Sequence, residues 1–245
     1  MSSLLAVDGL NKRFGGLTAV RNVSFALEPA EIVGVLGPNG AGKTTLFNLL
    51  TGFIRPDSGR VSFAGRPIDD LAPQRIVNLG LARTFQLCRP FAGLTVLENV
   101  LVACYSPRAR ATHVAPALQA RAMLDAVGLG DKLQLPAQML SYGDQRRLEI
   151  ARALATTPRL LLLDEPFAGL GSSEIEPIAA LIRRLHREQD LTILIIEHKL
   201  QEFMQLVQRV IALDFGEVIA TGAPADIVQD ARVIEAYIGR EEEEA

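Results

Sequence analysis

The sequence predicts an α/β fold interrupted by a helical insert, and three observations predict it. The apolar runs EIVGVLG (31–37), RLLLLDE (159–165) and LTILIIEH (191–198) have strand length and little alternation, as strands buried on both faces do. An amphipathic helix near 174–189 joins the last two, and a strand-helix-strand order implies parallel pairing. From about Pro90 to Thr157 the pattern turns helical, around 95–104, 116–127 and 143–156, separated by Pro107, Pro116, Gly128, Gly130 and Pro136.

The elements follow in order. VSFALE (23–28) and EIVGVLG read as short strands, then a helix from about Lys43 to Leu50 is closed by Gly52 and followed by Pro56 and Gly59. RVSFAG (60–65) is another strand. In LSYGDQRR (140–147), Ser141 and Asp144 stand in the S/T-x-x-acid arrangement that satisfies free amides at a helix start. Behind them Leu148, Ala151 and Leu154 recur at helical spacing as a core face, with Arg146, Arg147 and Arg152 on other faces. VIALDFGEVIATG (210–222) reads as an edge hairpin turning at Asp214, Phe215 and Gly216, and EEEEA (241–245) as a solvated, frayed tail. The expected organisation is an α/β core of 1–89 and 158–222, a helical subdomain of 90–157, and a C-terminal helix with acidic tail, 223–245.

Composition narrows the function classes. With 245 residues, 49% of them hydrophobic, the chain is long enough for one large domain or two lobes. A net charge of -3 gives no general electrostatic reason to bind nucleic acid. Cys88 and Cys104 lack metal-ligand spacing and read as free thiols in a reducing compartment. The start, MSSLLAVDGLNKRF, lacks a secretion signal's basic leader and long apolar region, and no run approaches the roughly twenty apolar residues that span a bilayer. The expectation is a cytoplasmic protein whose membrane role, if any, runs through a partner.

GPNGAGKTT (37–45) contains Gly37-x-x-x-x-Gly42-Lys43-Thr44 directly between an apolar strand and a helix. Glycines let the backbone curl around phosphates, so the amides of Asn39, Gly40, Ala41, Gly42, Lys43 and Thr44, with Thr45 behind them, are candidates to face the phosphates of a nucleotide. Lys43 adds a point charge and Thr44 a magnesium ligand. By chance such a pattern arises in a chain this long only on the order of once in a hundred. LLLLDEP (160–166) ends a strand in two acids, where an open parallel sheet gathers its ligand-binding groups. Asp164 is expected to hold Mg2+ through water and Glu165 to polarise the attacking water. His198 follows LTILIIE and should emerge at the same sheet edge, while Gln86, in RTFQ (83–86), could end a strand and reach the metal or the water.

In this order and spacing, GPNGAGKTT, Gln86, LSYGDQ, LLLLDEP and His198 resemble the ATP-binding subunit of an ABC transporter over nearly the whole chain, from KRFGGLTAVRNVSF (12–25) to VIEAYIG (233–239). RTFQ, TVLENVLVA (95–103), SYGDQRRLEIARAL (141–154) and VIEAYIG are most similar to the branched-chain amino acid uptake ATPases. The resemblance implies a P-loop NTPase (RecA-like) core with an N-terminal antiparallel β-subdomain and a helical insert. It also implies ATP hydrolysis at the cytoplasmic face of the membrane, two permease subunits, a second ATPase subunit and an external substrate-binding protein. It makes Phe14 the aromatic adenine platform, Gln86 the Q-loop residue and His198 the switch histidine. Ser141 and Gly143 become contacts to the γ-phosphate held by the partner subunit.

Tyr142 departs from the superfamily's commoner glycine and Asp144 from its glutamine, while Ser141 and Gly143 are kept. In AGLG (168–171), Gly171 stands where the family's D-loop usually presents an acidic or amide side chain, which would weaken communication between the two ATP sites or make the subunits unequal. A second reading is a soluble, non-transport ABC ATPase of repair, translation or cofactor assembly. Such proteins often carry two cassettes, coiled-coil insertions or basic patches, and this sequence has none of these.

Overall fold

A computed structural model describes residues 3–241. The chain runs through β1 (Leu5–Phe14), β2 (Leu17–Leu27), β3 (Ile32–Leu36), α1 (Lys43–Leu50), β4 (Ser58–Phe63) and β5 (Arg66–Pro67). Next come α2 (Pro73–Leu79), β6 (Leu81–Arg83), α3 (Val96–Cys104), α4 (Pro107–Arg110), α5 (Pro116–Ala126) and α6 (Tyr142–Leu154). It continues with β7 (Leu160–Asp164), α7 (Ser172–Gln189), β8 (Thr192–Ile196), α8 (Leu200–Leu206), β9 (Arg209–Asp214), β10 (Glu217–Gly222), α9 (Pro224–Ile227) and α10 (Ala231–Glu241). Of the acidic run at the end, only Glu241 lies within the described residues. Residues up to Pro73 and from Thr192 onward form one compact unit, and Gln74–Leu191 form another.

In the first unit, antiparallel strands stand in the order β2-β1-β4-β5. LAVDGLNKRF forms one strand although Asp8 and Gly9 interrupt its apolar residues. The chain absorbs Gly9, at φ +55°, into a register shift between Val7 and Leu10. An extra residue there puts both Val7 and Leu10 in the core although their odd spacing would point them to opposite faces. The parallel strands β8 and β9 flank β3, whose five residues are all buried, and β10 returns antiparallel to β9 as the expected hairpin. Gly34, at the centre of β3, admits the ring of Phe203 from α8, which any side chain at 34 would strike.

In the second unit β6 and β7 pair in parallel, Leu81 opposite Leu160 and Arg83 opposite Leu162. The expected helical region forms α3, α5 and α6, whose buried faces include Val96, Val100, Ala120, Leu124, Leu148 and Ala151. A capping box starts α3: Thr95 Oγ1 accepts from Glu98 N, and the Glu98 carboxylate accepts from Thr95 N. Buried Asn99 bonds both the N–H and the C=O of Phe91, closing the preceding loop onto the helix.

Candidate active site

The phosphate loop is built from backbone. β3 delivers the chain to Gly37, and Gly42 caps α1 with φ +99° and ψ 2°. A side chain at 42 would strike the carbonyl of Ala19, so the position takes glycine on both counts. No side chain caps α1 and its first turn holds no acid, whereas hydroxyls cap α3 and α6. The N-terminal amides and the positive end of the α1 dipole are therefore not neutralised by a carboxylate or hydroxyl of their own helix, as an anion site requires. Lys43 is buried, and its Nζ donates to Gly37 O at 2.6 Å and Pro38 O at 2.9 Å, holding the loop closed around the ammonium. Asn39, Gly40 and Thr44 are exposed, Thr45 half-buried and Ala41 buried.

Neighbouring elements brace this loop. Gly216, at the hairpin tip, donates its N–H to Ala41 O at 3.1 Å and accepts from Arg21 N at 2.8 Å. The Tyr237 hydroxyl of α10 accepts from Gly37 N at 3.1 Å, and burial pushes that phenol above its ordinary 10.0. Phe14 ends β1 with 46% of its surface exposed, the Lys12 ammonium 5.6 Å from its centroid and anchored by Asp57 at 2.6 Å. A presented ring of this kind can stack on a base. His198 follows β8 and is exposed, while Glu197 is buried beneath it, its Oε2 accepting from the N–H groups of His198 at 2.7 Å and Lys199 at 3.1 Å.

In the second unit the acidic cluster is built from side chains. Asp164 closes β7, buried, with Arg83 Nη2 at 2.6 Å from its Oδ2 and its own N–H donating to Thr84 Oγ1 at 3.3 Å. Only 5% and 4% of the Arg83 and Asp164 side chains are exposed, so the pair is desolvated and each charge needs the other. Glu165 sits at φ +49°, a left-handed conformation that costs a non-glycine residue about 1–3 kcal/mol. Gln86 Nε2 donates to Glu165 Oε2 at 2.8 Å, which brings two of the expected residues together. Gln86 does not end a strand, however: β6 stops at Arg83, where Thr84 N leaves the strand to bond Leu162 O.

Ser141 Oγ accepts from Asp144 N at 3.2 Å and caps α6. The Asp144 carboxylate turns to Lys132 Nζ instead of closing a capping box. Gly143 is buried with the Glu174 carboxylate against it, and a Cβ at 143 would come within 2.8 Å of Glu174 Oε1. The other oxygen of Glu174 accepts from Gly171 N at 3.1 Å, so Gly171 serves as the N-cap of α7. Arg146, on a different face of α6 from Leu148, Ala151 and Leu154, is nevertheless buried at 2% exposure, its guanidinium donating to Phe85 O at 3.0 Å and Gln86 O at 2.6 Å. A side chain this long reaches acceptors that helical periodicity cannot register.

Within the second unit the Gln86 amide oxygen and the Asp164 carboxylate are oxygen donors of the kind a hard cation takes. Among the described residues no group of three or more His, Cys, Asp or Glu is placed to hold a metal ion. Nor is any helix among the described residues long and apolar enough to cross a membrane.

Residues 20–168 match the family model of the ABC transporter, more than half of the chain. The chain belongs to the ABC transporter family. Residues 217–243 also match a model described as branched-chain amino acid ATP-binding cassette transporter. The chain is 43% identical over 249 residues to the high-affinity branched-chain amino acid transport ATP-binding protein LivG of Salmonella typhimurium, covering 96% of this chain and 98% of that one. It is 40% identical to BraF of Pseudomonas aeruginosa, which carries the same description, with the same coverage. The solved ADP conformation of MJ1267, an ATP-binding cassette of an ABC transporter, superposes with a TM-score of 0.88 at 31% identity, covering 98% of this chain and 100% of that one. The dimeric cassette MJ0796 with ADP and Pi superposes at 0.78 and 26% identity, over 90% and 98%.

As an ABC cassette the chain is an ATP-binding, ATP-hydrolysing subunit that works in a transporter complex with permeases. Sequence reading missed three of the buried charges around its expected site residues, Arg83, Arg146 and Glu197. Arg83 carried a usable signal, since an arginine at the end of a short apolar strand, directly before TFQ, has little reason to be there unless an acid awaits it. For Glu197 the clue was a carboxylate directly after the apolar run ILII (193–196).

Proposed function

We propose that this subunit powers import of branched-chain amino acids from the cytoplasmic face of the membrane, pairing with a second ATPase subunit beneath two permeases that an external binding protein supplies. The observation that carries this reading is the near full-length similarity to LivG and BraF together with the C-terminal match at 217–243. The matched C-terminal segment includes Tyr237, so the part of the chain that marks this branch of the family also bonds the first residue of the phosphate loop.

Phe14 stacks on adenine, while Asn39, Gly40, Ala41, Gly42, Lys43, Thr44 and Thr45 hold the phosphates. Thr44, Gln86 and Asp164 would hold magnesium, which when bound neutralises charge on the β- and γ-phosphates. Glu165 takes a proton from the attacking water as the new P–O bond forms, and the bond to ADP breaks with its electrons leaving on ADP. His198 steadies the γ-phosphate. Gln86 holds Glu165 by its carboxylate oxygen, which delays that proton transfer until the loop of Gln86 moves. Ser141 and Gly143 engage the nucleotide of the partner subunit, so ATP binding closes the pair and hydrolysis reopens it.

Glu165→Gln tests the chemistry. ATP affinity is expected to stay within a few-fold and steady hydrolysis to fall by about 10²–10⁴, with an ATP-dependent dimer on size-exclusion chromatography. Hydrolysis at the unsubstituted rate would remove Glu165 from its role. For the cargo, the full complex in proteoliposomes should take up labelled leucine with ATP, and indifference to leucine, isoleucine and valine would overturn the substrate class.

A further inference from the structure

Arg146 does more than fill space. Its Nη2 donates to Gln86 O at 2.6 Å, to the Tyr142 hydroxyl at 3.0 Å and to Ala168 O at 3.4 Å, while Nη1 donates to Phe85 O at 3.0 Å. The Tyr142 ring packs 5.3 Å from the guanidinium carbon and lies against Gly169, where a Cβ would come within 2.8 Å of it. Glu149 completes the set, accepting from Phe85 N at 2.7 Å and facing Arg146 Nη1 at 3.4 Å. Arg146 Nε has no acceptor among the described residues, so the terminal nitrogens alone fix the plane of the group. The first turns of α6 thereby grip the backbone of the loop bearing Gln86 and the backbone of the segment that leads away from Glu165.

We propose that Arg146, braced by Tyr142, is a positioning residue that couples the two ATP sites. This rests on the reading in which Ser141 and Gly143 meet the partner's nucleotide. When that nucleotide draws on the start of α6, the rigid guanidinium carries the carbonyls of Phe85, Gln86 and Ala168 with it. Gln86 in turn holds Glu165, so engagement at one site repositions the water-activating carboxylate of the other. The tie crosses the 168–171 segment at Ala168 and Gly169, and supplies through Tyr142 and Arg146 the side chains that Gly171 lacks.

The test uses the full chain, a non-hydrolysable ATP analogue with magnesium, and hydrogen exchange read on peptides spanning 83–90, 140–147 and 166–172. In the unsubstituted protein the analogue should slow exchange in all three. In Arg146→Lys the slowing at 140–147 should persist while that at 83–90 and 166–172 falls by about tenfold. In steady hydrolysis kcat should fall with KM within about twofold, and the ATP dependence should lose its sigmoidal shape. Tyr142→Phe, which keeps the ring on Gly169 and removes only the hydroxyl, should show the same pattern more weakly, and carries the test if Arg146→Lys does not fold. Slowing retained at all three segments in both variants would overturn the proposal. So would its loss at all three, which marks a merely structural role. No analogue-dependent slowing at 140–147 in the unsubstituted protein would instead sink the across-dimer reading and this coupling with it.

Discussion

Around the phosphate loop the shaping contacts are mostly those of the main chain: Gly42 in its left-handed turn, Gly216 N–H on Ala41 O, and Lys43 bonded to two loop carbonyls. Around Asp164 and Ser141 they are those of buried charges, with Arg83 on Asp164 and with Arg146 and Glu149 on the Phe85–Gln86 backbone. The first kind of site has its shape fixed before ligand arrives, because turn geometry leaves few alternatives. A side-chain network is different. It has discrete alternative pairings, so it suits a region that must change partners when nucleotide binds and leaves.

The sharpest way to break the charge-built half is to remove one partner. Arg83→Met leaves the Asp164 carboxylate buried without its counter-charge, and losing one partner of such a pair costs about 3–5 kcal/mol. Urea denaturation should show that loss, with Arg83→Lys recovering part of it. A loss within about 1 kcal/mol would mean that water reaches the pair and that burial does not set its energetics.

Gly42→Ala is the matching break in the backbone-built half, with a smaller effect on stability. The methyl meets the Ala19 carbonyl and forces an L-residue to hold φ +99°, a strain of about 1–3 kcal/mol. ATP affinity, measured by calorimetry, should fall along with stability, because the turn that aims the amides is the turn that is strained. Full affinity in Gly42→Ala would show that the loop tolerates a second geometry.

The same contrast explains what was legible in the sequence. Glycine spacing, apolar runs and helical periodicity are local, so α1, β3, β7, β8 and the β9–β10 hairpin could be read with small errors at their ends. β1 escaped because Asp8 and Gly9 interrupt its apolar residues, and only its pairing with β2 and β4 turns them into a bulge. Arg83 with Asp164 and Arg146 with Gln86 are separated by long stretches of chain, and nothing in either local pattern marks the partner. LLLLDEP pointed to Glu165 and RTFQ to Gln86 separately, yet their hydrogen bond needed three-dimensional placement.

The smallest expected effect concerns how charge is held within the network. Burial pushes the Glu149 carboxyl above its ordinary 4.5, against the pull of the Phe85 N–H and the Arg146 charge. A value raised in the folded state means that folding favours the protonated form. The stability it contributes is therefore fully present below pH 4.5 and is lost as pH rises through the higher folded value. Glu149→Gln removes that dependence while keeping an acceptor for Phe85 N. The urea midpoint at pH 8 minus that at pH 5 should accordingly be more negative in the unsubstituted protein than in the variant, even though the variant loses its attraction to Arg146. Equal spacing in the two proteins would mean that Arg146 fully offsets the desolvation of Glu149, and that the network holds this carboxylate ionised at no cost to folding.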